Sequence, residues 1–200
     1  KDLKIIIGES VYRMGIGGLH SSETRVSHYS DDAFVLLDRD VTSYYPSIIM
    51  RSGLYPKAIG PEFLKVYKSI LDRRIAAKRA GDKNKAESLK LAGNGCYGKL
   101  GSPYSVLYAP ELMIQVTLTG QLAILMLIEQ MELRGMSVVS ANTDGFVTRV
   151  PRDRRWQFSA TCADWELQTG FNTEETEYLS LHSRDVNNYI AIATEHGKTK

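Results

Sequence analysis

The chain has 200 residues, 43% of them hydrophobic, and a formal net charge of +2. That length suits one domain, or one domain with a sizeable insertion, with enough apolar material for a core. A charge this small announces no nucleic-acid partner by itself. The two cysteines, Cys96 and Cys162, lack the spacing of a metal site or a disulfide framework, which points to a reduced, intracellular protein.

Leu3 to Ile7 reads as a short strand, and Gly15-Ile16-Gly17-Gly18-Leu19-His20-Ser21-Ser22 as a flexible, glycine-dense connector. The apolar run Ala33-Phe34-Val35-Leu36-Leu37 predicts a buried strand delivering Asp40 at its end. Pro46 biases Tyr45 away from helical geometry, so a shaped loop is expected before Ile48. Glu62 to Arg79 and Asn84 to Tyr97 read as two helices broken at Gly81-Asp82, an αα-hairpin. Between Glu62 and Lys90 stand nine basic and four acidic residues, the footprint a polyanion would select or a solvated helical face.

Tyr104 to Tyr108 reads as a short strand, and a helix is expected from Pro110 to Arg134, ended by Gly135. Its polar residues Gln115, Gln121, Glu129 and Glu132 suit a buried helix rather than a membrane span. Ser137–Ala141 and Phe146–Val150 are strands flanking Asn142-Thr143-Asp144-Gly145, where Asp-Gly signals a hairpin. A further helix capped by Asp153 is expected to carry Trp156, Ala160, Ala163 and Leu167 on one face and to stop at Gly170. Asn187 to Ala193 alternates as the last strand. No signal peptide is present. The lysine start and the Lys198-Thr199-Lys200 end suggest a piece of a longer protein.

Without the 62–97 hairpin, the order is strand, helix, strand, strand, helix, strand. That is the ferredoxin-like βαββαβ arrangement, α+β with an antiparallel sheet and helices on one face. In it the first strand neighbours the hairpin, so Asp40 and Asp144 can face one another. Two adjacent carboxylates favour a cation between them. Oxygen-only ligands on strands suit Mg²⁺, and a pair of such ions ~3.5–4 Å apart suits in-line phosphoryl displacement. Arg74 and Lys78 share one helical face, and Lys90 and Asn94 repeat that spacing. Together they could clamp a triphosphate.

Asp40-Val41-Thr42-Ser43-Tyr44-Tyr45-Pro46-Ser47-Ile48-Ile49 resembles the first palm motif of family B DNA polymerases. Lys90-Leu91-Ala92-Gly93-Asn94-Gly95-Cys96-Tyr97-Gly98 resembles their fingers motif, Ala141-Asn142-Thr143-Asp144-Gly145 their second palm motif, and Arg74-x-x-x-Lys78 their fingers arginine–lysine pair. The resemblance covers about residues 33 to 150 and has a bacteriophage flavour. It implies a palm at 33–61 and 99–200, a helical-hairpin fingers at 62–98, a connector at 1–32, and no thumb or exonuclease. Asp40 and Asp144 would bind two Mg²⁺ or Mn²⁺ ions with the Val41 carbonyl. Ser43 and Tyr44 would offer amides to the dNTP, and Tyr45 would exclude a 2′-hydroxyl. Arg74, Lys78 and Lys90 would hold phosphates, with Lys90 also a proton donor to pyrophosphate. Asn94 and Tyr97, with Gly98 beside them, would line the base-pair pocket. Gly17 and Gly18 would lie near template and Tyr189 near the primer end. Primer–template DNA is the implied partner of a monomer within a longer chain, with no membrane.

The departures are Asn142 where the family has a first aspartate, glycine for serine at Gly95 and Gly145, Asn187 for the primer-end lysine, and Gly15 for the tyrosine before the glycine pair. They leave open a catalytically inactive fragment that only binds nucleotide or primed DNA. A reverse transcriptase is a further alternative, but it would want adjacent aspartates where Asp144-Gly145 stands.

Overall fold

The structure is a computed structural model describing residues 3–194; Lys1 and the Lys198-Thr199-Lys200 end lie outside the described residues. In chain order come strands β1 (Leu3–Ile7), β2 (Ser10–Gly15), β3 (Gly18–Ser21), β4 (Thr24–Tyr29) and β5 (Phe34–Val41). Helices α1 (Tyr44–Ser52), α2 (Glu62–Arg79), α3 (Lys83–Leu100) and α4 (Pro110–Leu133) follow. Strands β6 (Ser137–Asn142) and β7 (Gly145–Pro151), a 3₁₀ turn (Arg152–Arg154), helix α5 (Arg155–Thr169), β8 (Thr173–Asp185) and β9 (Asn188–Ala193) complete the described chain. It divides into two units, residues 1–42 with 120–200, and residues 43–119.

In the first unit all nine strands join one antiparallel sheet in the order β1-β2-β3-β6-β7-β5-β8-β4, with β9 paired to β8. The apolar run places β5 in its interior, between β7 and β8, where Val35, Leu36 and Leu37 are fully buried. Alternation then sorts the strand's side chains between two faces. Leu36, Asp38 and Asp40 share one face with Gly145 and Val147 of β7, and with Tyr178 of β8. Leu37 and Arg39 take the other, where Arg39 lies over the Phe158 ring of α5 at 5.5 Å and pairs with Glu175 at 2.8 Å. Helix α5 therefore covers the Arg39 face. On the Asp40 face Leu36, Val147, Tyr178, Leu181, Ala191 and Ala193 form a small apolar cluster.

Four expectations for this unit are corrected. The connector over 15–22 is the junction of β2 and β3, and β4 follows it. Strands β3 and β4 escape a periodicity reading because they pair with β6 and β8, distant in sequence. Strand β8 has no counterpart in the sequence reading; it pairs with β4, β5 and β9. Its acidic start looks solvated, yet Arg39 and Arg155 neutralise Glu175 and Glu177. The expected apolar face of α5 is its outer one: Trp156 is 68% and Leu167 85% exposed, while Phe158, Cys162 and Trp165 are buried. Trp165 Nε1 donates to the Ala123 carbonyl of α4 at 2.8 Å, which fixes that orientation. Nor does Asp153 cap α5; it sits in the 3₁₀ turn and the N-cap is Arg154.

The second unit holds α1 to α3 and the first part of α4. Helix α2 buries Phe63, Tyr67 and Ala77, and α3 buries Ala86, Gly93 and Leu100, both at the spacing of a two-helix seam. The Tyr67 hydroxyl donates to the Gly93 carbonyl at 2.8 Å across it. Asp82 caps α3 by accepting from Lys85 N–H, and Gly81 supplies the left-handed turn residue at φ 73°. The loop expected before Ile48 is instead helical. Pro46 falls in the first turn of α1, where a missing N–H costs no intrahelical bond. Residues 104–108 form turns rather than a strand, with Tyr104 97% exposed.

Helix α4, spanning the division between units, is the one described helix long and apolar enough to cross a membrane. Its Val116, Ile124, Leu127, Ile128 and Met131 are wholly buried in the protein.

Candidate active site

The candidate residues fall into two sets, one in each unit. The first is built by strand register. Asp40 pairs with Gly145, and the Val41 N–H donates to the Asp144 carbonyl at 2.7 Å, so strand pairing brings the two aspartates together. Both line one cavity of about 350 Å³, together with Asp38, Asn142, Thr143, Tyr178 and Tyr189. Gly145 is required there for space rather than for the turn. A Cβ built on it would overlap the Asp40 carboxylate and lie 3.0 Å from the Arg39 carbonyl. The turn itself is Thr143-Asp144, with Thr143 at φ 54°.

Three residues in this cavity went unassigned in the sequence reading. Asp38 is 6% exposed and accepts from the Tyr178 hydroxyl. Its position two residues before Asp40 was a signal, since i and i+2 share a strand face. Tyr178 had no signal, because β8 was not foreseen. Burial first, then the Asp38 charge, drives the Tyr178 phenol well above its usual range, so it stays protonated as donor to Asp38. Thr143 packs against Gly18, and its N–H donates to the Leu19 carbonyl at 2.7 Å. Asn142 Nδ2 donates to the Val186 carbonyl at 3.4 Å and to Asn187 Oδ1 at 3.3 Å, tying the turn to the β8–β9 loop.

The carboxylates of Asp38, Asp40 and Asp144 in a cleft that Gly145 keeps open suit a hard divalent cation. Among the described residues, no group of three or more His, Cys, Asp or Glu is gathered to hold a metal. Three carboxylates line the cavity, Asp38, Asp40 and Asp144, and that of Asp38 accepts from the Tyr178 hydroxyl.

The second set lies on α1, α2 and α3. Ser43 precedes α1 in a left-handed conformation at φ 51°, and Arg74 Nη1 donates to its hydroxyl. Arg74 is half-buried, whereas Lys78, Lys90 and Asn94 are exposed. Lys90 is 3.8 Å from Glu87, a surface pair of small energetic weight. Tyr44 is buried, and Tyr45 stacks on Tyr97 with centroids 4.1 Å apart. The Tyr97 hydroxyl shares a 2.6 Å hydrogen bond with Thr117. Gly98 is exposed, and a Cβ at Gly98 or Gly17 would meet nothing within 4 Å. Tyr189 lines the carboxylate cavity, from β9.

No family model matches the sequence, and no curated protein matches it. Solved structures do match. The chain is similar to the family B DNA polymerase from the hyperthermophilic archaeon Pyrobaculum calidifontis, with a TM-score of 0.65 and 17% identity over 89% of this chain. It spans 27% of the length of that polymerase. The likeness is one of fold: the chain has the α+β fold of part of a family B DNA polymerase.

Proposed function

We propose that the chain carries the palm and fingers of a family B DNA polymerase of bacteriophage type, acting in DNA replication inside a cell. The observation that carries the reading is the meeting of Asp40 and Asp144, remote in sequence, across the β5–β7 pairing and in one cavity. The strand order β6-β7-β5-β8 supports it, being the order a ferredoxin-like palm requires. So does the fold likeness to an archaeal polymerase.

In this reading Asp40 and Asp144, with the Val41 carbonyl, would hold two Mg²⁺ or Mn²⁺ ions. Such ions supply activation of a primer 3′-hydroxyl and charge neutralisation on a leaving pyrophosphate. Arg74, Lys78 and Lys90 would bind the dNTP phosphates, Lys90 giving a proton to pyrophosphate. The first turn of α1, at the positive end of its dipole, would orient the triphosphate through Ser43 and Tyr44. Tyr45 would fill the space of a 2′-hydroxyl. Asn94, Tyr97 and Gly98 would contact the nascent base pair, and Tyr189 the primer end of the DNA.

The test is primer extension with Mg²⁺ or Mn²⁺. Asp144→Asn is expected to lower extension by about a thousandfold or more, several kcal/mol of lost charge stabilisation. DNA affinity should stay near the parent's, because phosphate contacts dominate it. Near-normal extension by this variant would refute the assignment. Asn142, where the resemblance expects an aspartate, favours one second reading, a chain that binds nucleotide or primed DNA without turnover. Parent-level DNA binding with no extension by any variant, parent included, would select it.

A further inference from the structure

The glycine pair Gly17-Gly18 is not symmetrical in its surroundings. Gly17 faces open space, while Gly18, at φ 135°, lies so close to Thr143 that a Cβ there would stand 2.8 Å from its Oγ1 and 3.1 Å from its Cγ2. Main-chain contacts lock the same place: Thr143 N–H donates to the Leu19 carbonyl at 2.7 Å, and His20 of β3 pairs with Asn142 of β6. Thr143 holds φ 54°, a left-handed conformation that a threonine adopts only when its surroundings impose it. The residue it precedes is Asp144. Gln121 of α4 donates to the Gly15 carbonyl, anchoring the other arm of the β2–β3 hairpin.

We propose that Gly18 is a positioning residue for Asp144. The β2–β3 hairpin forms a fixed wall against Thr143, and that wall sets the aim of the aspartate carboxylate into the cation cavity. Gly18 then acts because it lacks a side chain, and not through contact with DNA. Gly17 has no part in this. The inference rests on the reading of Asp40 and Asp144 as cation ligands, and its test separates the two.

The experiment measures Mn²⁺ binding to the full chain by calorimetry, with thermal stability and primer extension in parallel. In the parent, binding should depend on Asp144. Gly18→Ala should weaken Mn²⁺ by about tenfold or more, as loss of an orienting group does at metal sites. Gly17→Ala should stay within about twofold, since its Cβ meets nothing. Thr143→Gly removes the atoms that Gly18→Ala would strike. In that background Gly18→Ala should weaken Mn²⁺ little further, the non-additivity of groups in contact, although the φ of 135° still strains an alanine there. If Gly18→Ala does not fold, the double variant, relieved of the Thr143 overlap but not of the backbone strain, should recover part of the stability and match Thr143→Gly in Mn²⁺ affinity; no recovery would place the whole cost in the Gly18 backbone and overturn the proposal. Parent-like Mn²⁺ binding by a folded Gly18→Ala, or equal losses from Gly17→Ala and Gly18→Ala, would also overturn it. Mn²⁺ binding unaffected by Asp144→Asn would overturn the cation reading itself, and the proposal with it.

Discussion

Asp40 and Asp144 are held in place by main-chain register, whereas Arg74, Lys78 and Lys90 sit at the ends of their own long side chains. A one-residue slip of β5 against β7 would move Asp40 to the opposite face, where Arg39 now lies. Lys78 of α2 and Lys90 of α3 are exposed, on helices rather than on the sheet. The sheet thus supplies fixed charge, and the helical hairpin adjustable charge. A reaction that needs rigid carboxylates and a clamp able to open and close would call for that division.

The sharpest way to break the contrast is to disturb the rigid set without touching a carboxylate. Gly145→Ala should force the Asp40 side chain or the Arg39 carbonyl to shift. Overpacking of this kind costs about 1–3 kcal/mol in stability, and Mn²⁺ affinity should fall by about tenfold or more. Unchanged melting and Mn²⁺ titration would show that Asp40 is as free to swing as a surface lysine.

On the helical side the largest effect is expected at Arg74, the one cation there that is half-buried and bonded to Ser43. Arg74→Gln should raise the apparent KM for dNTP, with a loss of about 1.5–3 kcal/mol typical of charged hydrogen bonds. Arg74→Lys should also be costly, because an ammonium cannot reproduce the guanidinium fork. Steady-state kinetics at fixed salt, with DNA affinity alongside, reads this directly. A uniform loss of DNA binding with unchanged KM would make the hairpin a DNA-backbone patch.

Tyr45 lies between the extremes, its ring fixed by stacking on Tyr97 rather than by register. Tyr45→Ala should raise ribonucleotide use relative to deoxyribonucleotide and forfeit about 0.5–1.5 kcal/mol of ring pairing. Tyr45→Phe should change neither much. Equal relaxation by alanine and phenylalanine would assign sugar choice to the hydroxyl.

The smallest expected effect lies in the first unit, at Glu132, whose carboxylate accepts from Val138 N–H at 2.6 Å beside Gly8. Burial, with a smaller push from Glu9, raises its pKa, against the pull of the Val138 hydrogen bond. A raised carboxyl binds its proton more tightly folded than unfolded. Its stabilisation is therefore full below the ordinary carboxylate range and is lost as pH rises through the folded value. Glu132→Gln keeps an acceptor for Val138 and removes the charge. Melting temperature followed from acid to neutral pH should fall less steeply in the variant, and an unchanged slope would contradict the assignment.

What the sequence made legible follows the same division. The bounds of α2, the hairpin partner α3 and the β6–β7 turn were readable, because caps, glycines and helical spacing are local. The approach of Asp40 to Asp144 was readable too, since strand order alone makes β5 and β7 neighbours. Strand β8 was hidden because its glutamates are balanced by Arg39 and Arg155 from other elements. The orientation of α5 was misread because Trp156 and Leu167 are its conspicuous apolar residues, yet Trp165 is the one with a bonding partner inside. The need for glycine at 145 was invisible, since the atom it avoids belongs to a strand far away in sequence.

The interior position of β5 also bears on how the protein is made. Its apolar residues are synthesised well before its partners at 145–151 and 173–178. A ribosome adding ~5–20 residues per second would leave this segment without neighbours for several seconds or more. Pairings so distant in sequence also close slowly once both strands exist. The nascent chain therefore passes through an interval in which Ala33–Leu37 is an unpartnered hydrophobic strand. It is there, before any native contact has formed around Asp40, that chaperone capture and aggregation compete for the polypeptide.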